Sequence, residues 1–179
     1  MAARLIVLLA VAGGSCFGAV ASAAHGTRVE LAAAHIPALP ALSVSTAGRC
    51  PLPARFRPAF ERAAHDTGFE LSMLVAIAQV ESRFQPNARS AADARGLLQV
   101  TPTTAAELRL DVDDPSSNVL AGARYLRLML NRFQRTDLAL AAYNAGPTIV
   151  DRLGRAPSRE TQTYIANVEQ RWAALAGCT

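Results

Sequence analysis

Lysine is absent from all 179 residues, so the formal charge of +4 rests on arginine alone. No arginine run is dense enough for a nucleic-acid interface, although a mildly basic protein tolerates an anionic polymer. Histidine is scarce: His25, His35 and His65 stand apart, without metal-ligand spacing, and are read as structural or solvated. Neither a metal nor an organic cofactor is expected. Long apolar runs are also missing. The longest near the start, Leu5 to Ala12, is too short to cross a bilayer comfortably and is broken by Gly13 and Gly14. No paired strand patterns, hairpin turns or internal repeats are visible.

What the chain does have at its start reads as an export signal. Arg4 supplies a positive n-region, Leu5 to Ala12 an apolar core, and Ala21-Ser22-Ala23 a small-residue cleavage site. Residues 1–23 are therefore expected to be a signal peptide. Lipidation at Cys16 is disfavoured by Gly13, where a bulkier aliphatic side chain is wanted. Residues 24–49 are rich in Ala, Pro, Ser and Thr, with Pro37 and Pro40 interrupting any helix, and read as a linker or disordered segment. The remaining stretch, residues 50–179, has the size of one domain with one core.

Export changes the meaning of the cysteines. Of three, Cys16 leaves with the leader, so Cys50 and Cys178 are either free thiols or one bridge. An oxidising compartment favours the bridge, which would tie the two ends of the domain together. Closing so long a loop restricts the unfolded chain by about 4–5 kcal/mol on the entropy model.

Helical patterns fill the domain. Helices are expected over Arg55 to Asp66 (ending before Gly68), Leu71 to Phe84, Thr101-Pro102 to about Leu108, and Ser116 to Gln134. The last of these carries Val119, Ala123, Leu126, Leu130 and Phe133 on one stripe. Asp137 opens another helix that Gly146-Pro147 closes, and residues 148–153 form one or two turns. Ser158 starts the final helix, with Tyr164, Ile165, Val168, Trp172 and Leu175 as its apolar positions. Leu71 to Phe84 is apolar nearly all round, which marks it as the central buried helix. The expected fold class is mainly α.

One carboxyl stands out in that central helix. Glu81 ends the run from Leu71 to Val80, and on a helix its neighbours are Ala78, Ile77 and Phe84. Loss of hydration disfavours the charged form and raises the pKa, which suits a general acid near neutral pH. The plainer alternative is a helix-end Glu facing solvent.

Three short segments bear on the choice. Glu81-Ser82-x-Phe84 is followed by Asn87, Ser90 and Ala94-Arg95-Gly96-Leu97-Leu98-Gln99. Ala142-Tyr143-Asn144-Ala145-Gly146 and Glu160-Thr161-x-x-Tyr164 come later, with Asp114-Pro115-x-x-Asn118 and Gly122-x-x-Tyr125-Leu126 between. In this order they resemble the soluble lytic transglycosylase family over roughly residues 55–173. On their own chemistry, Gly96 lets a ligand approach the backbone closely, and Gln99 offers an amide for sugar hydroxyls or caps a turn. Tyr143 is a core ring or a site ring, Asn144 a helix terminator or a glycan contact, and Tyr164 is packed or groove-lining. Arg89 and Arg95 are surface arginines or partners for stem-peptide carboxylates.

The resemblance implies a compact lysozyme-like multi-helix domain with a glycan-binding groove. It implies that Glu81 is the catalytic acid and base, and that Ser82, Ser90, Leu98, Gln99, Tyr143, Asn144 and Tyr164 lie at the substrate. Tyr143 would point at the catalytic carboxyl and hydrogen-bond near it. The implied reaction cleaves the β-1,4 bond between N-acetylmuramic acid and N-acetylglucosamine without water, leaving a 1,6-anhydro end. The implied partners are peptidoglycan strands in the periplasm, and components of a secretion, conjugation or pilus machine. Two departures stand out. Asp93 replaces a small residue and either holds a hydrolytic water, in the manner of goose-type lysozyme, or is a loop carboxyl that faces solvent or pairs with Arg89 or Arg95. Leu98 replaces a common methionine at nearly conserved volume.

Overall fold

A computed structural model of the chain describes residues 48–179. The expected signal peptide and all but the last two residues of the expected linker lie outside the described residues. Among those described, the chain forms a short 3-10 turn at Ala54–Phe56 followed by α1 (Arg57–Thr67), α2 (Leu71–Glu81), α3 (Pro102–Glu107), α4 (Pro115–Phe133), α5 (Thr136–Ala145), α6 (Pro147–Leu153) and α7 (Arg159–Ala174). Two isolated bridges, Arg89 with Arg95 and Arg95 with Val100, are the only extended pairings there.

Local chemistry explains most boundaries. The side chains of Thr101, Asp114 and Ser158 accept the N–H groups of Thr104, Ser117 and Thr161, capping α3, α4 and α7. Proline stands in the first turn of α1, α3, α4 and α6, where its missing N–H has no helical partner to lose. Gly68 ends α1 with φ 68°, a left-handed conformation that glycine adopts without Cβ strain.

α2 is the axis of the core. Met73 through Ala78 are all buried, and α1 and α7 both pack on it. α4 packs on α1 and α5, and α5 in turn packs on α6 and α7. The expected stripe of α4 divides along its length. Val119, Ala123 and Leu126 are buried, whereas Leu130 and Phe133 are only partly covered.

One boundary departs from expectation in a way that matters. α2 stops at Glu81 instead of Phe84, because Arg83 and Phe84 take φ of 52° and 62°. Two successive non-glycine residues in the left-handed region cost on the order of 1–3 kcal/mol each, so surrounding structure must impose them. Part of the return comes from Phe84, whose ring turns back edge-on to Phe60 with centroids 6.2 Å apart. Glu81 is thereby left at a helix end beside a tight turn, and Phe84 is no longer its helical neighbour.

The ends of the domain are stapled. Cys50 and Cys178 form a disulfide, with Cα atoms 4.8 Å apart across a sequence separation of 128. The Cys50 N–H donates to the Thr179 carbonyl at 3.0 Å, and Arg57 Nη2 donates to the Cys50 carbonyl at 2.9 Å.

Candidate active site

Glu81 is the chemical centre. Its carboxyl is largely withdrawn from water at the C-terminal end of α2, and burial pushes its pKa from 4.5 up to about 7. The Tyr164 hydroxyl acts against that rise by favouring the charged form, but burial is the larger effect. Tyr164 comes from α7 and is itself buried. Its hydroxyl has no partner of standard hydrogen-bond geometry, so it faces the carboxyl without a fully formed bond.

Tyr143 reaches the same place from α5. Its hydroxyl donates to the Leu98 carbonyl at 2.7 Å, and its ring lies 5.4 Å from that of Tyr125. Burial first, and the nearby Glu81 charge second, hold both Tyr143 and Tyr164 well above the usual phenol range. Both are neutral at any ordinary pH. Glu81 therefore sits among uncharged phenols, where its proton is held near neutrality.

The segment 88–100 is built around Asn118. This buried α4 side chain accepts the Leu98 N–H at 2.9 Å and donates to the carbonyls of Arg95 (2.8 Å) and Val112 (3.0 Å). A Cβ at Gly96 would fall 2.5 Å from Asn118 Nδ2, and Gly96 has φ 75°, so only glycine suits this approach. At Gly122 a Cβ would fall 2.6 Å from Leu98 and 2.8 Å from the Tyr143 hydroxyl.

Several expected substrate contacts look inward. Leu98 is 1% exposed, and its side chain packs against Gly122, so it shapes the site from the core. Ser82 is also buried and donates to the carbonyls of Leu97 (2.8 Å) and Ala78 (3.3 Å), tying the end of α2 to the loop. For both, the reason is the same: the turn after Glu81 folds the loop back onto the core. Gln99 donates its amide N–H groups to Ala88 and Gly96, which leaves the amide oxygen as its free polar function. Ser90 is exposed, and its hydroxyl accepts the Ala94 N–H at 3.1 Å. Asn144 is exposed at the end of α5. Gln99, Thr104, Tyr125, Tyr143 and Asn144 line one cleft of about 250 Å³.

Asp93 takes the ion-pair alternative. Arg95 binds it bidentately, Nε to Oδ1 at 2.9 Å and Nη2 to Oδ2 at 3.0 Å. Asp113 accepts from both Arg95 and Arg89, joining the loop to the acidic turn before α4. The Arg95 guanidinium holds the Asp93 carboxyl below its ordinary range. Among the described residues no cluster of three or more His, Cys, Asp or Glu side chains is arranged to hold a metal ion.

Sequence reasoning gave Asn118, Gly122, Glu70 and Trp172 no role at the site. A signal was present for the first two: Asn118, Gly122 and Leu126 fall four apart, placing a polar amide and a glycine on a core-facing stripe.

Fold and site together define a lysozyme-like helical domain organised around a single desolvated carboxyl. The model of the transglycosylase SLT domain matches residues 58–165, and the chain belongs to that family. It is similar to the membrane-bound lytic murein transglycosylase F of Desulfosudis oleivorans, 42% identical over 100 residues that cover 51% of this chain and 22% of the relative. The protein of the same name from Alcanivorax borkumensis is 40% identical over 95 residues, 49% of this chain and 20% of the relative. The chain thus spans about a fifth of the length of the curated relatives it matches.

Solved structures agree. The lytic transglycosylase Slt of Pseudomonas aeruginosa, in an inactive glutamate-to-glutamine mutant, superposes with a TM-score of 0.62 at 29% identity, covering 71% of this chain and 25% of that one. The 70 kDa soluble lytic transglycosylase of Escherichia coli gives 0.60 at 27% identity, covering 69% and 25%.

Proposed function

We propose that this chain is a peptidoglycan lytic transglycosylase in which Glu81 serves first as acid and then as base. The observation that carries the reading is the pKa of Glu81, raised to about 7 by burial beside two neutral phenols. A carboxyl poised near neutrality can both give and take a proton, and one group is enough when no water must be activated. Protonated Glu81 would donate to the oxygen linking N-acetylmuramic acid to N-acetylglucosamine. The substrate's own N-acetyl group would stabilise the positive charge at the anomeric carbon. Ionised Glu81 would then remove the proton of the muramic acid 6-hydroxyl as that oxygen bonds to the anomeric carbon. The product is a 1,6-anhydro end with no water consumed. The names of the murein transglycosylase relatives support the substrate class, and the inactive glutamate-to-glutamine mutant of a structural relative fits an essential carboxyl.

Gln99, Tyr143 and Asn144 line the cleft and are the side chains best disposed toward a glycan, with Ser90 at an exposed loop edge and Tyr164 buried beside Glu81. Residues 1–23 are proposed to direct export to the periplasm, residues 24–49 to link, and residues 50–179 to act on the wall. No described helix is long and apolar enough to cross a membrane. Opening the wall for a secretion, conjugation or pilus machine is the biological role included in this proposal.

Hydrolysis with water held by Asp93 is the second reading. Its weakness is that Asp93 is exposed, bound bidentately by Arg95 and lowered in pKa, which makes it a poor base. A non-catalytic assembly factor would have no need of a poised Glu81. Mass analysis of muropeptides released from purified peptidoglycan decides among the three. Anhydro ends, one water lighter than reducing ends, are expected. Reducing ends alone would shift the reaction to hydrolysis, and no release at all would leave a binding module.

A further inference from the structure

Tyr164 and Trp172 lie two turns apart on α7, and they meet opposite ends of α2. At one end Tyr164 faces Glu81. At the other, the Trp172 indole Nε1–H donates to Glu70 at 2.9 Å, immediately before α2 begins. The two helices therefore run antiparallel, with the candidate acid and the indole contact at the two ends of one interface. Glu70 is held for this contact by the Ser72 hydroxyl, which donates to the same carboxylate oxygen at 3.0 Å.

α7 is packed through Thr161, Tyr164 and Val168, and its C-terminal end is less deeply covered. Trp172 is only partly buried, and Ala173 and Ala174 are exposed. A cleft of about 460 Å³ opens beside Glu70, Leu71 and Cys178 on the same side. Apolar contacts resist separation of two helices better than sliding, because a shift along the axis exchanges one hydrocarbon neighbour for another. A hydrogen bond has a direction and a length, so it selects one position.

We infer that Glu70 and Trp172 are positioning residues whose hydrogen bond fixes the register of α7 on α2 and so seats Tyr164 against Glu81. The inference rests on the reading of Glu81 as the catalytic acid, which sits at the far end of the same helix. Tyr164 from α7 and Tyr143 from α5 are the titratable groups that face Glu81. Tyr143 is anchored independently on the Leu98 carbonyl. Of the two phenols, releasing the latch thus acts on Tyr164 and leaves Tyr143 seated. Water then reaches Glu81, which lowers its pKa, while the lost Tyr164 contact raises it. Burial is the first cause of the raised pKa, so a net downward movement is the outcome the inference expects.

The test is a direct titration of Glu81 in the full chain, by NMR of carboxyl-labelled glutamate, with the signal assigned by its loss in Glu81→Gln. A midpoint near 7 is expected for the unsubstituted protein, moving toward 4.5 in Trp172→Phe, which keeps an aromatic ring but lacks the donor. Glu70→Leu should move it in the same direction, whereas Glu70→Gln, which retains an acceptor oxygen, should not. An unmoved midpoint in Trp172→Phe overturns the inference. So does a shift there that Glu70→Leu fails to reproduce, since ring packing would then be the cause. Above the midpoint, turnover should fall about tenfold for each unit the midpoint drops. Circular dichroism checks that each variant is folded. Lost activity with an unmoved titration would overturn the latch and leave the role of Glu81 standing. A moved titration with unchanged activity at every pH would do the reverse.

Discussion

Asn118 Oδ1 accepts the backbone N–H of Leu98 at 2.9 Å, joining the core face of α4 to the loop that follows Glu81. The same amide donates to Arg95 and Val112, so one side chain reaches three backbone groups, of which the Arg95 carbonyl also accepts the Val100 N–H. Removing it should therefore be severe. Asn118→Ala leaves buried donors and acceptors without partners, at roughly 1–3 kcal/mol for each. A loss of about 3 kcal/mol or more in chemical denaturation is expected; a loss below 1 kcal/mol would mean the loop holds itself.

Glu81→Gln should abolish glycan cleavage while leaving the fold intact, because the two side chains are nearly isosteric. A general acid contributes typically about 10²–10⁴ in rate, so residual turnover near the unsubstituted level would remove Glu81 from the mechanism. In the unsubstituted protein, activity that depends on protonated Glu81 should decline as pH rises through about 7.

The same pKa makes a stability prediction with a definite sign. Glu81 binds its proton more tightly folded (about 7) than unfolded (4.5), so its contribution is full below 4.5 and is lost as pH rises toward 7. Glu81→Gln escapes that loss. Relative to the unsubstituted protein it should gain up to roughly 3 kcal/mol at pH 8, and little at pH 4. Urea titrations at the two pH values check this, and an equal difference at both would show that Glu81 titrates normally.

Gly122→Ala should damage the site from behind. Its Cβ would crowd both Leu98 and the Tyr143 hydroxyl, and overpacking of this kind costs about 1–3 kcal/mol. Thermal unfolding and cleavage rate should fall together. Unchanged values for both would mean that α4 moves aside freely.

Removing the disulfide with Cys50→Ser and Cys178→Ser should lower stability by up to about 5 kcal/mol, the loop entropy for a separation of 128. Because the Glu70–Trp172 hydrogen bond that sets α7 on α2 does not depend on the sulfurs, cleavage by the folded protein at room temperature should persist. Loss of activity from a fully folded variant would mean that the bridge, too, holds α7 in place.

Much of this was legible without coordinates. Helix starts at Thr101, Asp114 and Ser158 follow from side chains that bond the next turn, and such local chemistry is written in consecutive residues. The burial of α2 follows from an apolar run with no polar face, and the Cys50–Cys178 bridge from there being one possible pairing. Glu81 was conspicuous for the same reason: a carboxyl beside hydrocarbon is costly wherever the chain puts it.

Beyond Tyr143, which the resemblance set toward it, the surroundings of Glu81 were not legible. Its helix was expected to run through Phe84, but left-handed Arg83 and Phe84 end it at the carboxyl itself, because tertiary packing of Phe84 on Phe60 overrides helical propensity. Ser82 and Leu98 resembled ligand contacts by position, yet that turn directs both into the core. Asp93 was read as a water holder, a solvent-facing loop carboxyl or an ion-pair partner, and the fold alone brings Arg95 to it. The sequence by itself determined that one carboxyl lies in an apolar helix, since composition and period are local properties. Bringing phenols of α5 and α7 near it is the work of tertiary structure, since that depends on groups 62 and 83 residues away meeting at one helix end.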